Sequence, residues 1–144
     1  MRCVDSMLNG IGKCLSPEII CAMMKMGHGD EIAFVDRDYP ADTYGKMVIR
    51  ADGIGMIDML KDVLELLPLD EYVEKQAFMM AAVDEQPGVW KSFEKMIADH
   101  TSFFKGFGYI ERYNFYDRTK GCSVIVVTGE ADGNIILRKG VVSE

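Results

Sequence analysis

A chain of 144 residues, 49% hydrophobic and 27% charged, has the balance of a single globular domain spanning residues 1–144. Asp and Glu number 23 against 16 Lys and Arg, for a net charge of −7, and no basic block stands out; this argues against nucleic acid and favours a small neutral ligand. No apolar run approaches the roughly 20 residues of a membrane span and no signal-peptide pattern opens the chain, so the cytoplasm is the expected compartment.

The first helix is expected in LSPEIICAMMKMG, with Ser16 as N-cap, Pro17 at the first helical position and Glu18 in the first turn. Ile19, Ile20, Met23 and Met24 form an apolar stripe, and Gly27 is placed to end the helix in a left-handed conformation. His28 follows that end. Glu31 to Asp36 reads as a buried strand, and DYPAD as a turn broken by Pro40. A second strand is expected at Lys46–Arg50. A helix follows over 54–67, with Met56, Leu60, Val63, Leu64 and Leu67 on one face and Pro68 as its stop. That leaves Asp70 in a loop.

Gln76–Val83 reads as a third strand. The run from Val89 supports a third helix with Trp90, Phe93, Ile97 and Phe104 on one side. A short strand near Ile110, a helical turn or two, a strong strand at Ser123–Gly129 and a last strand in IILRKG complete the order. Helices alternating with apolar strands predict an α/β fold, a single compact domain with a largely parallel central sheet covered by helices. In such sheets ligands bind beyond the carboxyl ends of strands.

The eleven methionines are expected to fill the core, and Cys21 and Cys122 to be small buried residues; no two of the four cysteines, Cys3, Cys14, Cys21 and Cys122, have CxxC spacing. Of the two histidines, His100 lies in the third helix with a solvated or interface role expected. His28 sits between two glycines, and an imidazole can exchange protons at cellular pH. A metal site built from His28, Asp30, Glu31 and Asp36 would have too little imidazole or thiolate, so no metal is expected. No phosphate loop, dinucleotide fingerprint or GxSxG is present, which predicts no cofactor and leaves acid–base chemistry by histidine, carboxylates and tyrosines.

The ordered set LSPEI, MGHGDEI, DRDYPA, VIRADG, LLPLDEYV, FYDR, VVTGE and GNIILRKG resembles the L-fucose mutarotase and D-ribose pyranase family from about Met7 to Val141. MGHGDE, IRADG and the Phe115–Tyr116 pair are similar to the fucose branch. The resemblance implies an isomerase that exchanges the α and β anomers of L-fucose; D-ribose pyranase activity, a non-catalytic monosaccharide-binding protein and a structural ring protein are the alternatives. It implies His28 as proton donor, with Asp70 and Tyr116 at the acid–base centre. It also implies Asp36, Arg112 and Asn134 as sugar-binding groups, with Met80 and Phe115 against the apolar face. It implies a homo-oligomer, commonly a decamer with sites between subunits. The chain departs from the family at Asp132, where a tyrosine is usual, and at Asp38–Tyr39.

Overall fold

The structure, a computed structural model, describes residues 7–143. Cys3 and the start of the chain lie outside the described residues. In order, the elements are α1 (Pro17–Met24), β1 (Glu31–Val35), α2 (Ala41–Tyr44), β2 (Val48–Ala51), α3 (Met56–Leu64), β3 (Ala77–Met80), α4 (Val89–His100), β4 (Gly108–Ile110), α5 (Arg112–Thr119), β5 (Val124–Thr128) and β6 (Ile135–Arg138). The strands form one sheet in the order β2-β5-β1-β6-β3-β4. β5 runs parallel to both β1 and β2, and β3 runs parallel to β4. β6 runs antiparallel to β1 and β3. The expected α/β domain with a mostly parallel sheet is therefore present, with one reversed strand near its middle.

Both faces of the sheet are covered, which is why its central strands are apolar without alternation. Ile32, Phe34, Met79, Val124, Val126, Ile135 and Leu137 face one core, closed by α1, α3 and α4. Ala33, Val35, Ile125, Val127 and Ile136 face a second, closed by Tyr39, Ala41, Phe115 and Tyr116 from the α2 and α5 side. Each fully buried large side chain contributes roughly 1.5–3 kcal/mol.

Several boundaries differ from the sequence reading. Ser16 does cap α1, its hydroxyl accepting from the Ile19 amide at 3.2 Å. The helix stops at Met24, however, and Gly27 is not left-handed; the positive φ falls on Gly29, at 87°. Met24 and Cys21 point outward, while Ala22 and Met26 are buried instead. The apolar face of α1 is thus rotated from the expected stripe. The turn at DYPAD winds into the single turn of α2. β3 ends at Met80 rather than Val83, because the neighbouring pairings stop at Ile135 and Ile110 and leave Val83 exposed. α4 ends at His100, whose Nδ1 lies 3.0 Å from the Met96 carbonyl, and Phe104 reaches the same core from the following loop.

Candidate active site

Because β6 is reversed, its first residues lie at the same edge of the sheet as the carboxyl ends of β1 and β3. Asp36 follows β1, Met80 ends β3 and Asn134 precedes β6. The Asp36 amide donates to Asn134 Oδ1 at 2.8 Å, and Asn134 Nδ2 donates to Asp36 Oδ2 at 3.2 Å. Asn134 Nδ2 also lies 3.9 Å from Met80 Sδ, and the Met80 amide donates to the Asn134 carbonyl at 3.2 Å. The Gly133 amide approaches Asp36 Oδ2 at 3.5 Å, and the Asp38 amide reaches Oδ1 at 3.1 Å. Gly133 has a φ of 148°, and a side chain there would meet Phe93 at 2.8 Å, so only glycine fits this corner.

Burial raises the Asp36 carboxyl above its ordinary value, against the lowering effect of these amide donors. The group opens into a cleft of about 260 Å³ that Met80, Asp84, Trp90, Asp132 and Asn134 also line. Trp90 Nε1 donates to the Asp132 carbonyl at 3.2 Å. The position where an aromatic was expected thus presents a carboxylate beside a buried tryptophan.

β4 also ends at this edge, and α5 starts there. Glu111 caps α5 by accepting from the Tyr113 and Asn114 amides. One turn apart on the helix, Arg112 Nε donates to the Tyr116 hydroxyl at 2.9 Å, and its guanidinium lies 5.5 Å from the Tyr116 ring centre. Tyr116 packs between Tyr39 and Tyr44, whose ring centres are 5.2 and 4.7 Å away. Phe115 is fully buried in the second core. It is a packing residue in this chain, contrary to its expected contact with a ligand.

His28 and Asp70 lie at the opposite edge. β1 alone separates that edge from Asp36 by roughly 16 Å at 3.3 Å per residue. His28 Nε2 sits 3.0 Å from Asp70 Oδ1, with the imidazole 46% and the carboxylate 1% exposed. Arg138 Nε donates to Asp70 Oδ2 at 3.0 Å, and the Tyr72 amide donates to Oδ1 at 3.1 Å. Burial would raise the Asp70 carboxyl, but the hydrogen bonds from His28, Arg138 and Tyr72 outweigh it and hold it below its ordinary value. The exposed Tyr72 ring stands edge-on to the imidazole at 5.8 Å. No hydrogen bond to His28 Nδ1 occurs among the described residues.

The structure therefore joins the expected site residues other than Phe115 in three sets. His28 pairs with Asp70 at the amino end of β1. Asp36, Met80 and Asn134 meet at the carboxyl end, and Arg112 pairs with Tyr116 on α5, the helix that starts from that end. Arg138, Tyr72 and Trp90 were not anticipated. Arg138 and Tyr72 reach the first group through strand register and loop course, and Trp90 carries a helix-stripe pattern that reads as core. No group of three or more His, Cys, Asp or Glu side chains suited to a metal ion occurs among the described residues. Burial pushes the Cys122 thiol up to about 12, which makes it an inert core group.

The RbsD / FucU transport protein family matches residues 9–142. The fucose mutarotase of Homo sapiens is 43% identical over 147 residues, covering 94% of this chain and 95% of that protein. The L-fucose mutarotase of Haemophilus influenzae is 40% identical over 140 residues, covering 94% and 97% respectively. Among solved structures, the fucose mutarotase from Streptococcus pneumoniae in complex with L-fucose superposes with a TM-score of 0.88. It is 38% identical, and the match covers 94% of this chain and 100% of that one.

Proposed function

The chain belongs to the RbsD / FucU family, and on that premise we propose that it is an L-fucose mutarotase, an isomerase that interconverts the α and β anomers of L-fucose. What carries this is the His28–Asp70 pair, a half-exposed imidazole on a buried carboxylate, in a chain 43% identical to a fucose mutarotase.

Anomer exchange needs two coordinated proton transfers. An acid protonates the ring oxygen while a base takes the proton of the anomeric hydroxyl. The bond from the anomeric carbon to the ring oxygen breaks, and the free aldehyde turns about its bond to the next carbon. The ring then closes on the other face, and both protons return. Asp70 accepts from Nε2–H of His28, which leaves Nδ1 to give or take the proton at the sugar. A positioned acid–base group of this kind is worth about 10²–10⁴-fold. Asp36 and Asn134 hold sugar hydroxyls, Arg112 and Tyr116 offer a cation and a phenol, and Met80 lies against the apolar side of the ring. Tyr116 serves as the partner acid–base group.

The His28–Asp70 pair and the Asp36–Met80–Asn134 cluster lie at opposite edges of one subunit, so a complete site requires a second copy of the chain. The His28–Asp70 edge of one subunit faces the Asp36–Asn134 edge of its neighbour. A head-to-tail contact generates a ring where its rotation closes, and the homo-oligomer proposed is such a ring, stacked in pairs as a decamer. Neither exposed Cys21 nor buried Cys122 is in a disulfide, which fits the cytoplasm as the proposed working compartment.

Magnetisation-transfer NMR on L-fucose tests the activity: added protein accelerates exchange between the α and β anomeric signals. Exchange of D-ribose ring forms with no effect on L-fucose would replace this assignment by a ribose pyranase, and binding without exchange would replace it by a sugar-binding protein. Co-expression of His28→Ala with Asp36→Ala tests the shared site. Mixed oligomers recover exchange that neither variant has alone, and a failure to recover it in mixed rings would refute assembly across subunits.

A further inference from the structure

We propose that Arg138 is a positioning residue for this reaction, gripping the Asp70 carboxylate so that Oδ1 stays presented to Nε2 of His28. The inference rests on His28 being the proton-transfer group. Arg138 ends β6, and antiparallel register sets it opposite Glu31 of β1. Directly paired residues share a face, so the two side chains lie together at the edge where His28 sits. Arg138 is held from two sides. Its Nε donates to Asp70 Oδ2 at 3.0 Å, and its Nη1 lies 3.9 Å from Glu31 Oε2. Glu31 is in turn fixed by a two-pronged contact from Arg118, at 2.9 and 2.6 Å. The Arg118 guanidinium lies 4.0 Å from the Phe78 ring centre, which anchors the far end of the chain of charges.

The result is an alternating series, Arg118, Glu31, Arg138, Asp70, His28, drawn from α5, β1, β6 and two loops. Every carboxylate in it lies between two basic side chains. Gly29 makes room for it: its φ is 87°, and a Cβ there would come within 3.0 Å of Arg138 Nη2. The glycine beside the histidine therefore serves the arginine as well as the turn. The groups facing Asp70 are His28 from the loop after α1, Arg138 from β6 and the Tyr72 amide from its own loop. Glu31 and Arg118 act one and two steps away. Without Arg138, Asp70 would keep its lateral bonds to His28 and Tyr72 on Oδ1 but lose the contact that fixes Oδ2. The carboxylate could then rotate away from Nε2–H, and its proton affinity would rise with the loss of the guanidinium donor.

The test uses the full chain. Arg138→Gln, assayed by magnetisation transfer on L-fucose, is expected to lower kcat on the order of tenfold or more with KM unchanged, and to move the acidic limb of the pH profile upward. Independently of activity, carbon-13 NMR of the Asp70 carboxyl should show its titration midpoint raised by about one pH unit. Arg138→Lys, which keeps the charge without the planar fork, should restore most of the midpoint and only part of kcat. It also carries the test if Arg138→Gln does not fold. An unmoved Asp70 midpoint and pH profile in both variants, with any loss shared between kcat and KM, would overturn the role. A wild-type protein with no effect on L-fucose exchange would instead overturn the mutarotase assignment, while the Asp70 titration would still decide whether Arg138 grips it.

Discussion

Asp70 and Asp36 are the same residue type at opposite edges of one sheet, and their surroundings drive them in opposite directions. Neighbouring side chains screen Asp70 from solvent, which favours its neutral form, yet its carboxyl is held low because an arginine, a histidine and an amide all donate to it. Asp36 receives only amide donors, from Gly133, Asp38 and Asn134, and burial wins. Burial alone does not set the acidity of a carboxylate; the charge of its donors does. The difference suits a division of work. An anchored anion can orient an imidazole and stabilise it when protonated. A more basic carboxylate held by neutral donors can meet sugar hydroxyls without a fixed counter-ion.

The largest break in this comparison is His28→Ala. It should abolish catalysed exchange, a loss of about 10²–10⁴-fold, while circular dichroism and thermal melting stay close to wild type because the side chain is half exposed. Next is Asp70→Ala, which removes the buried acceptor and strands Arg138. It should cost about 3 kcal/mol in denaturant melts, near the low end for a broken buried pair because Arg138 keeps access to water. The pH dependence carries the sign. The folded Asp70 carboxyl is more acidic than in the unfolded chain, so its contribution is complete above the unfolded value and is lost as pH falls through the folded one. The alanine variant should therefore show a flatter stability curve on the acid side.

Asp36→Asn should do the reverse. The folded carboxyl is the less acidic form, so its ionisation opposes folding, increasingly so as pH rises from the unfolded value through the folded one. Removing the charge should leave stability at neutral pH equal or slightly higher, and it should raise KM for L-fucose about tenfold, the worth of one charge-assisted hydrogen bond. The smallest effect is expected for Tyr116→Phe on stability, a slight drop in melting temperature from the lost bond to the solvent-exposed Arg112. In exchange assays the same variant should be strongly impaired, and a wild-type rate would remove the phenol from the proposed chemistry.

Much of this was legible in the chain. Ser16–Pro17–Glu18 announce α1, the apolar runs at 31–36 and 123–129 announce β1 and β5, and the 3.6-residue spacing from Met56 announces α3, because caps and periodicity are local signals. The boundaries shifted where neighbours decide them. β3 stops at Met80, where its registered pairing with β4 and β6 ends, and α1 turns Met24 outward because the core takes Met23 and Met26 instead. No local feature marks Arg138 as a site residue. It ends an apolar strand and reads as a solubilising charge until the register places it against Glu31 and within reach of Asp70.

The sequence by itself determined the elements, the acidic and motif-poor character that points to a neutral ligand, and the glycine-flanked histidine next to a buried strand. Only the tertiary structure decided which side chains meet. The reversal of β6 between β1 and β3 brings Asn134 to Asp36 at one edge and Arg138 to Asp70 at the other. Strand order and direction arise from contacts between residues about 100 positions apart, and the physical terms that settle them, two-faced burial and ladder hydrogen bonds, exist only once the sheet is assembled.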